Sequence, residues 1–309
     1  MKRISSSRHI LLGFIAMLAA VGLRSQTPTD EIMMDKGQIC IAALYFHETW
    51  DEYWEGTLKR DNGNIGTLTR QTVMPMFALG ITEKINVLAG LPWVKTGAST
   101  GQLTGVSGLQ DWGLWLKAEA LNLEAGPGNF TFHAVAGLTG PASNYLPDYV
   151  PLNLGLGSIE GSLRGIVRYK LDKGPYIRGL AGFHVRGDSK IERDYYYTTH
   201  GVYSNKVDMP NAFTYGMTLG TWLLENSLRI EATFDGLQTL GGHDIRRQDV
   251  GFPSNKMIFS RIGGLVQYYL PFVKGLGVIA TTNYILNGRN VGQSTIVSGG
   301  VTYFFNIWE

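Results

Sequence analysis

The sequence predicts an all-β chain closed into a single transmembrane antiparallel barrel of about twelve strands. Three observations predict it. Segments of about ten residues alternate apolar with polar side chains, a periodicity of two that belongs to strands. The connections between them alternate between short turns and long loops, as in a barrel whose turns all lie on one side of a membrane and whose loops lie on the other. The composition fits strands and tight turns, with 40 glycines, 15 tyrosines and 13 phenylalanines among 309 residues and only 17% charged side chains.

At the N-terminus, Lys2, Arg3 and Arg8 precede an apolar run from Ile10 to Leu23, too short to span comfortably as a helix, so residues 1–25 read as a signal peptide. Cleavage after Gly22 or after Ser25 fits the small residues there. Residues 26–36 read as a polar lead-in, with no N-terminal plug predicted, and 37–309 as an outer-membrane barrel. The single cysteine, Cys40, allows no internal disulfide. A formal charge of +2 is too near neutrality to imply nucleic acid.

Twelve strands are predicted over 37–48, 65–80, 85–96, 108–123, 129–140, 158–171, 175–187, 210–223, 227–239, 256–270, 276–288 and 293–305. The first two do not choose a face cleanly, and Pro75 and Pro92 fall inside candidates, tolerable at bulges or strand ends. In the sixth, Ile159, Leu163, Val167, Tyr169 and Leu171 oppose Glu160, Ser162, Arg164, Arg168 and Lys170. In the seventh, Ile177, Ala181, Phe183 and Val185 oppose Arg178, His184 and Arg186. In the ninth, Leu228, Ile230, Ala232 and Phe234 alternate with Arg229, Glu231, Thr233 and Asp235. Hydrocarbon outside and a polar lumen explain these sets, because a charge facing the bilayer midplane costs roughly 2–4 kcal/mol. In the last strand Val297, Val301, Tyr303 and Phe305 share a face opposite Ser298, Gly300 and Thr302. Ser298-x-Gly300-x-x-Tyr303-x-Phe305 resembles the signal by which outer-membrane barrels present their last strand to the insertion machinery, although four residues follow it.

Gly108-Leu-Gln-Asp111-Trp-Gly-Leu-Trp-Leu-Lys117-Ala-Glu-Ala-Leu121 resembles a strand of the outer-membrane barrels grouped under the meta-pathway of phenol degradation. So do Thr139-Gly140-Pro141-Ala-Ser143-x-Tyr145-x-Pro147 and Leu154-Gly155-x-Gly157 in the loop after the next strand. The resemblance implies a porin-like or transporter barrel in the bacterial outer membrane, distantly like fatty-acid-transporter channels, with no catalytic residues and no cofactor.

The predicted facing sends Lys117, Arg164, Arg168, Arg178, Arg186 and Arg229 into the lumen with Glu160, Glu231 and Trp115; Arg70, Lys170 and Arg261 are also inward, against Asp111, Glu119 and Asp235. Two readings stand side by side: a basic ladder favouring anionic solutes, or a closed ion-pair network filling a narrow barrel. Met74, Met76, Trp115 and Leu180 add apolar lining suited to a hydrophobic or aromatic solute, or to internal packing. Tyr195, Tyr196 and Tyr197 in the loop 188–209 are candidate contacts for a partner or sugar. Asp61-Asn62-Gly63-Asn64 is ordinary turn chemistry, and no metal site is predicted.

No Gly-x-Ser-x-Gly elbow, His-Glu-x-x-His pattern or phosphate loop occurs, and His133 and His184 read as structural hydrogen-bonders, so no enzyme is predicted. The expected role is passage of a small organic solute across the outer membrane. A plugged structural or adhesive barrel is the alternative, and a lipid-modifying enzyme the third reading.

Overall fold

The computed structural model describes residues 26–246 and 251–308; the predicted signal peptide lies outside them. No helix occurs among these residues. The barrel strands are β1 (Gln38–Trp50), β2 (Leu68–Thr82), β3 (Ile85–Gly90 and Trp93–Ala98) and β4 (Ser107–Leu109 and Asp111–Ala125). They continue with β5 (Gly128–Pro141), β6 (Glu160–Leu171), β7 (Tyr176–Arg186) and β8 (Ala212–Leu223). The last four are β9 (Leu228–Thr239), β10 (Ile258–Tyr269), β11 (Leu276–Arg289) and β12 (Thr295–Asn306). Each pairs antiparallel with its neighbours in sequence, and β1 pairs with both β2 and β12, so the sheet has no free edge. Closure satisfies the backbone groups that hydrocarbon could not.

The outer surface carries the apolar positions of the alternation. Ile41, Phe77, Leu116, Val167, Leu219 and Val301 are all exposed. Tyr303, Phe305, Phe272 and Trp308 gather at the short-turn end, as in an interfacial aromatic girdle. Past the last strand, Ile307 N–H donates to Gly37 O at 2.9 Å, so the tail extends the β1–β12 seam.

One part of the wall is irregular. Strand β3 breaks at Leu91–Pro92 and β4 breaks beside it at Gln110. Leu91 N–H donates to Pro75 O at 3.2 Å, so the N–H that Pro75 lacks would have faced this break rather than a regular ladder. Both prolines are tolerated for that reason.

The lumen is filled at one end by chain that alternation could not detect. Residues 26–34 run inside the barrel at its short-turn end, where Ile32, Met33 and Met34 are buried together with Asp30 and Glu31. Ile32 and Met34 pack with Cys40, Ala78, Leu88, Tyr269 and Phe304, flanked by Trp115 and Trp222. Gly80 makes room for the chain leaving the lumen, since a Cβ there would lie 2.0 Å from Asp35 O. The polar lead-in is thus an N-terminal plug, contrary to the expectation that none was present. Ile32 and Met34 replace water over the barrel's inner aromatic side chains, which favours the docked position.

Candidate functional site

The plug is seated on cations. Lys117, fully buried on β4, donates from Nζ to Thr27 O (2.6 Å), Asp30 O (2.8 Å), Ile32 O (3.2 Å) and Asp30 Oδ1 (3.0 Å). An ammonium without water needs several acceptors, and here the plug supplies all four. Across the lumen, Arg178 Nη1 on β7 donates to Glu31 Oε2 at 2.6 Å and to Glu231 Oε1 at 2.9 Å. Its Nη2 donates to Thr218 Oγ1 at 3.0 Å. Arg229 on β9 donates to Glu231 Oε1 from Nε (3.0 Å) and Nη2 (2.5 Å), and Tyr176 also donates to that oxygen. Arg168 Nη1 lies 3.8 Å from Glu31 Oε1. Asp30 and Glu31 are therefore counter-charges brought into the lumen by a segment outside the barrel strands.

Toward the long-loop end a second cluster braces the wall. Glu160 accepts from Arg186 Nε at 2.8 Å and meets His184 Nδ1 at 2.7 Å, while His184 Nε2 faces Thr214 Oγ1 at 3.1 Å. This ties β6, β7 and β8 together and occupies both nitrogens of His184. His133 is buried, with Nε2 3.8 Å from Glu119.

The loop between β5 and β6 bends back over the lumen. Leu152 is fully buried against Ile65 and Leu68, and Thr96 Oγ1 donates to its carbonyl at 2.8 Å. Arg70 donates to Asn153 O at 3.0 Å and also to Leu154 O. The Tyr145 hydroxyl donates to Asp111 and accepts from Gly157 N–H at 2.8 Å. Burial first, then the Asp111 carboxylate, push the Tyr145 phenol up, so it remains a donor across the neutral range.

Beneath this loop lies a cavity of about 420 Å³, with Arg70, Met74, Asp111, Trp115, Leu154 and Glu160 in its wall. Trp115 lies flat because its neighbours are glycines: a Cβ at Gly113 or Gly137 would sit 2.0 or 2.4 Å from the indole. One Trp115 edge thus faces the cavity while the ring packs on the plug's apolar cluster. A second cavity of about 290 Å³ runs beside the plug at the turn end, lined by Glu31, Glu119, His133, Arg168 and Trp222 among others. The plug thus lies beside the second cavity, and the Trp115 ring stands between the plug's apolar cluster and the first.

Lys117, Arg164, Arg168, Arg178, Arg186, Arg229, Glu160, Glu231 and Trp115 all project to the inner face, but they form no single ladder. Lys117, Arg168, Arg178, Arg229 and Glu231 gather at the plug; Arg186 and Glu160 form the upper brace; Trp115 and Arg164 lie between. Sequence reasoning missed Asp30 and Glu31. The excess of inward bases over inward acids on the strands was the signal for absent counter-charges.

The tyrosine triplet separates. Tyr196 is buried, stacked on Phe252 with ring centroids 5.2 Å apart and packed with Ile191, Val207 and Met209. Tyr195 and Tyr197 point outward, Tyr195 resting on Tyr203 at 4.9 Å. Tyr196 therefore serves the loop's own core and is not displayed. Among the described residues, no group of His, Cys, Asp and Glu side chains is placed to hold a metal ion.

No protein-family model matches the chain, and no curated protein matches it. Among solved structures it is similar to an outer membrane channel from Pseudomonas putida F1, at 16% identity and TM-score 0.73, covering 91% of this chain and all of that one. It also aligns with the translocator domain of the autotransporter NalP from Neisseria meningitidis, at 13% identity and TM-score 0.44 over 97% of this chain and 96% of that one. The NanC porin aligns at 6% identity and TM-score 0.46 over 84% and 98%. The first of these likenesses shows that the fold is an outer-membrane barrel fold.

Proposed function

We propose that this chain is a bacterial outer-membrane channel for a small organic solute, closed at rest by residues 26–34. The observation that carries the reading is the plug's seat. It is held by hydrogen bonds, ion pairs and the packing of Ile32 and Met34, all reversible, with one cavity beside it and another beyond Trp115. A barrel needing only a filled interior would gain more from well-packed apolar residues than from buried ion pairs, which are a weak source of stability. Lipid surrounds the apolar belt, and the terminal strand offers its aromatic pair to the insertion machinery. The resemblance to barrels of the phenol meta-pathway group supports the same role.

The alternative is a sealed barrel whose loops bind a partner, favoured by the exposed Tyr195–Tyr203 pair. Planar-bilayer recording separates the two. The full chain is expected to open rarely, and a chain lacking residues 26–34 to carry steady current. A truncated barrel that is folded yet carries no current would remove the channel reading.

A further inference from the structure

Almost every cation on the inner wall has a partner at hand. Lys117 has Asp30, Arg178 and Arg229 share Glu231, Arg186 has Glu160, Arg261 has Asp235 at 2.8 Å, and Arg70 holds two loop carbonyls. Arg164 differs. Among the described residues it makes no hydrogen bond or close ion pair, and its Nη1 is buried. The carboxylate that acts on it through space is Glu160, already bound by Arg186 and His184. Arg164 is half-buried, and a guanidinium nitrogen shut from solvent without an acceptor is unfavourable, so a negative oxygen from outside the chain would be favoured at that nitrogen.

Its surroundings indicate what that something is. On β6, Ser162 is the inward residue before Arg164 and pairs with Gly137, over which the Trp115 indole lies. The greasy wall of the 420 Å³ cavity, Trp115 with Met74 and Leu154, thus ends one inward residue along β6 from Arg164, whose side chain leans from there over Gly182. Four residues further along β6, about 13 Å at strand rise, Arg168 sits opposite Arg178, and there the lumen already holds a carboxylate: Glu31.

We infer that the solute is a small organic carboxylate with an apolar or aromatic body, docked by its carboxylate on Arg164 with its body against Trp115, and that Glu31 imitates that carboxylate at the next cationic position. The inference rests on the channel reading and adds the solute's class. A solute moving from Arg164 toward Arg168 and Arg178 competes with Glu31, so loading of the lumen and release of the plug are linked. By reciprocity, loosening the plug must tighten solute binding at that second position.

The test uses the full chain in detergent with three probes: benzoate, benzyl alcohol as the uncharged ring of the same size, and inorganic phosphate. Calorimetry is expected to show saturable benzoate binding, with Arg164→Gln weakening it about tenfold, the scale of one charge-assisted hydrogen bond. Arg164 has no partner to leave stranded, so this variant is expected to keep its heat-modifiable gel mobility. Benzyl alcohol binding as well as benzoate, or an unchanged affinity in Arg164→Gln, would overturn the proposal. Phosphate matching benzoate would overturn the assignment of an organic acid. Current through the chain lacking residues 26–34 is recorded in parallel. Steady current without benzoate binding refutes the carboxylate site and leaves the channel standing, whereas benzoate binding without current supports the site and refutes the channel.

Discussion

Substituting Glu31→Gln changes how long the plug stays seated while leaving the barrel intact. Glu31 is buried and accepts from Arg178 Nη1 at 2.6 Å, with Arg168 3.8 Å away. A hydrogen bond to a charged group is worth about 1.5–3 kcal/mol. The glutamine amide oxygen still accepts from Arg178, so the loss belongs at the lower end, about 1.5 kcal/mol. That corresponds to roughly a tenfold rise in the unseated fraction. Arg178 is not orphaned, since Glu231 and Thr218 still accept from it at 2.9 and 3.0 Å. Asp30→Asn acts on the other seat, where Lys117 keeps three carbonyls, and the double variant should reach about a hundredfold if the seats are independent. The assay is open probability in planar bilayers. An open probability for Glu31→Gln equal to that of the unaltered chain, with the chain lacking residues 26–34 open, would refute the claim that charge holds the plug.

The remaining predictions concern the belt and the loops. Val167→Arg places a charge on the exposed face midway along β6, and should lower folding stability in lipid vesicles by about 2–4 kcal/mol, read by denaturant titration; no loss would mean that face does not meet hydrocarbon. Tyr196→Ala removes the stack on Phe252 and should speed proteolysis within the loop 188–209 several-fold, whereas Tyr197→Ala should not. Asp244 is held down to about 2, chiefly by hydrogen bonds from Arg289 and then from Asn290, with burial opposing them. A carboxylate whose pKa is lower folded than unfolded stabilises above its ordinary value near 4 and loses that contribution as pH falls toward 2. Asn290 also accepts from Gly56 N–H and Ile245 N–H, so those two amides should lose exchange protection over the same acid range.

How much of this was legible in the sequence depended on periodicity. The twelve strands lie within a few residues of their predicted spans, because hydrocarbon on one face and polar lumen on the other force a strict alternation that a single chain displays. The breaks at Leu91–Pro92 and Gln110 were foreshadowed by Pro92 and explain the face ambiguity of β2, which changes partner segments there. The plug was not legible. Gln26-Thr-Pro-Thr-Asp-Glu31 has the composition of a turn, and its partners, Lys117 and Arg178, are 87 and 147 residues away from Asp30 and Glu31. No local period encodes a contact of that range. Tyr196 was misplaced for the opposite reason: three identical residues looked equivalent, while the short hairpin at Tyr196–Tyr197 turned the middle one inward and left Tyr195 and Tyr197 exposed.

Cys40 offers the most direct measurement of whether a removable segment closes the lumen. It is the only cysteine in the sequence, faces inward on β1, and is 3% exposed beneath Ile32 and Met34. A membrane-impermeant maleimide applied to the folded protein should leave Cys40 unlabelled in the full chain, label it slowly in Glu31→Gln, and label it promptly once residues 26–34 are removed. Equal labelling of all three would contradict the account.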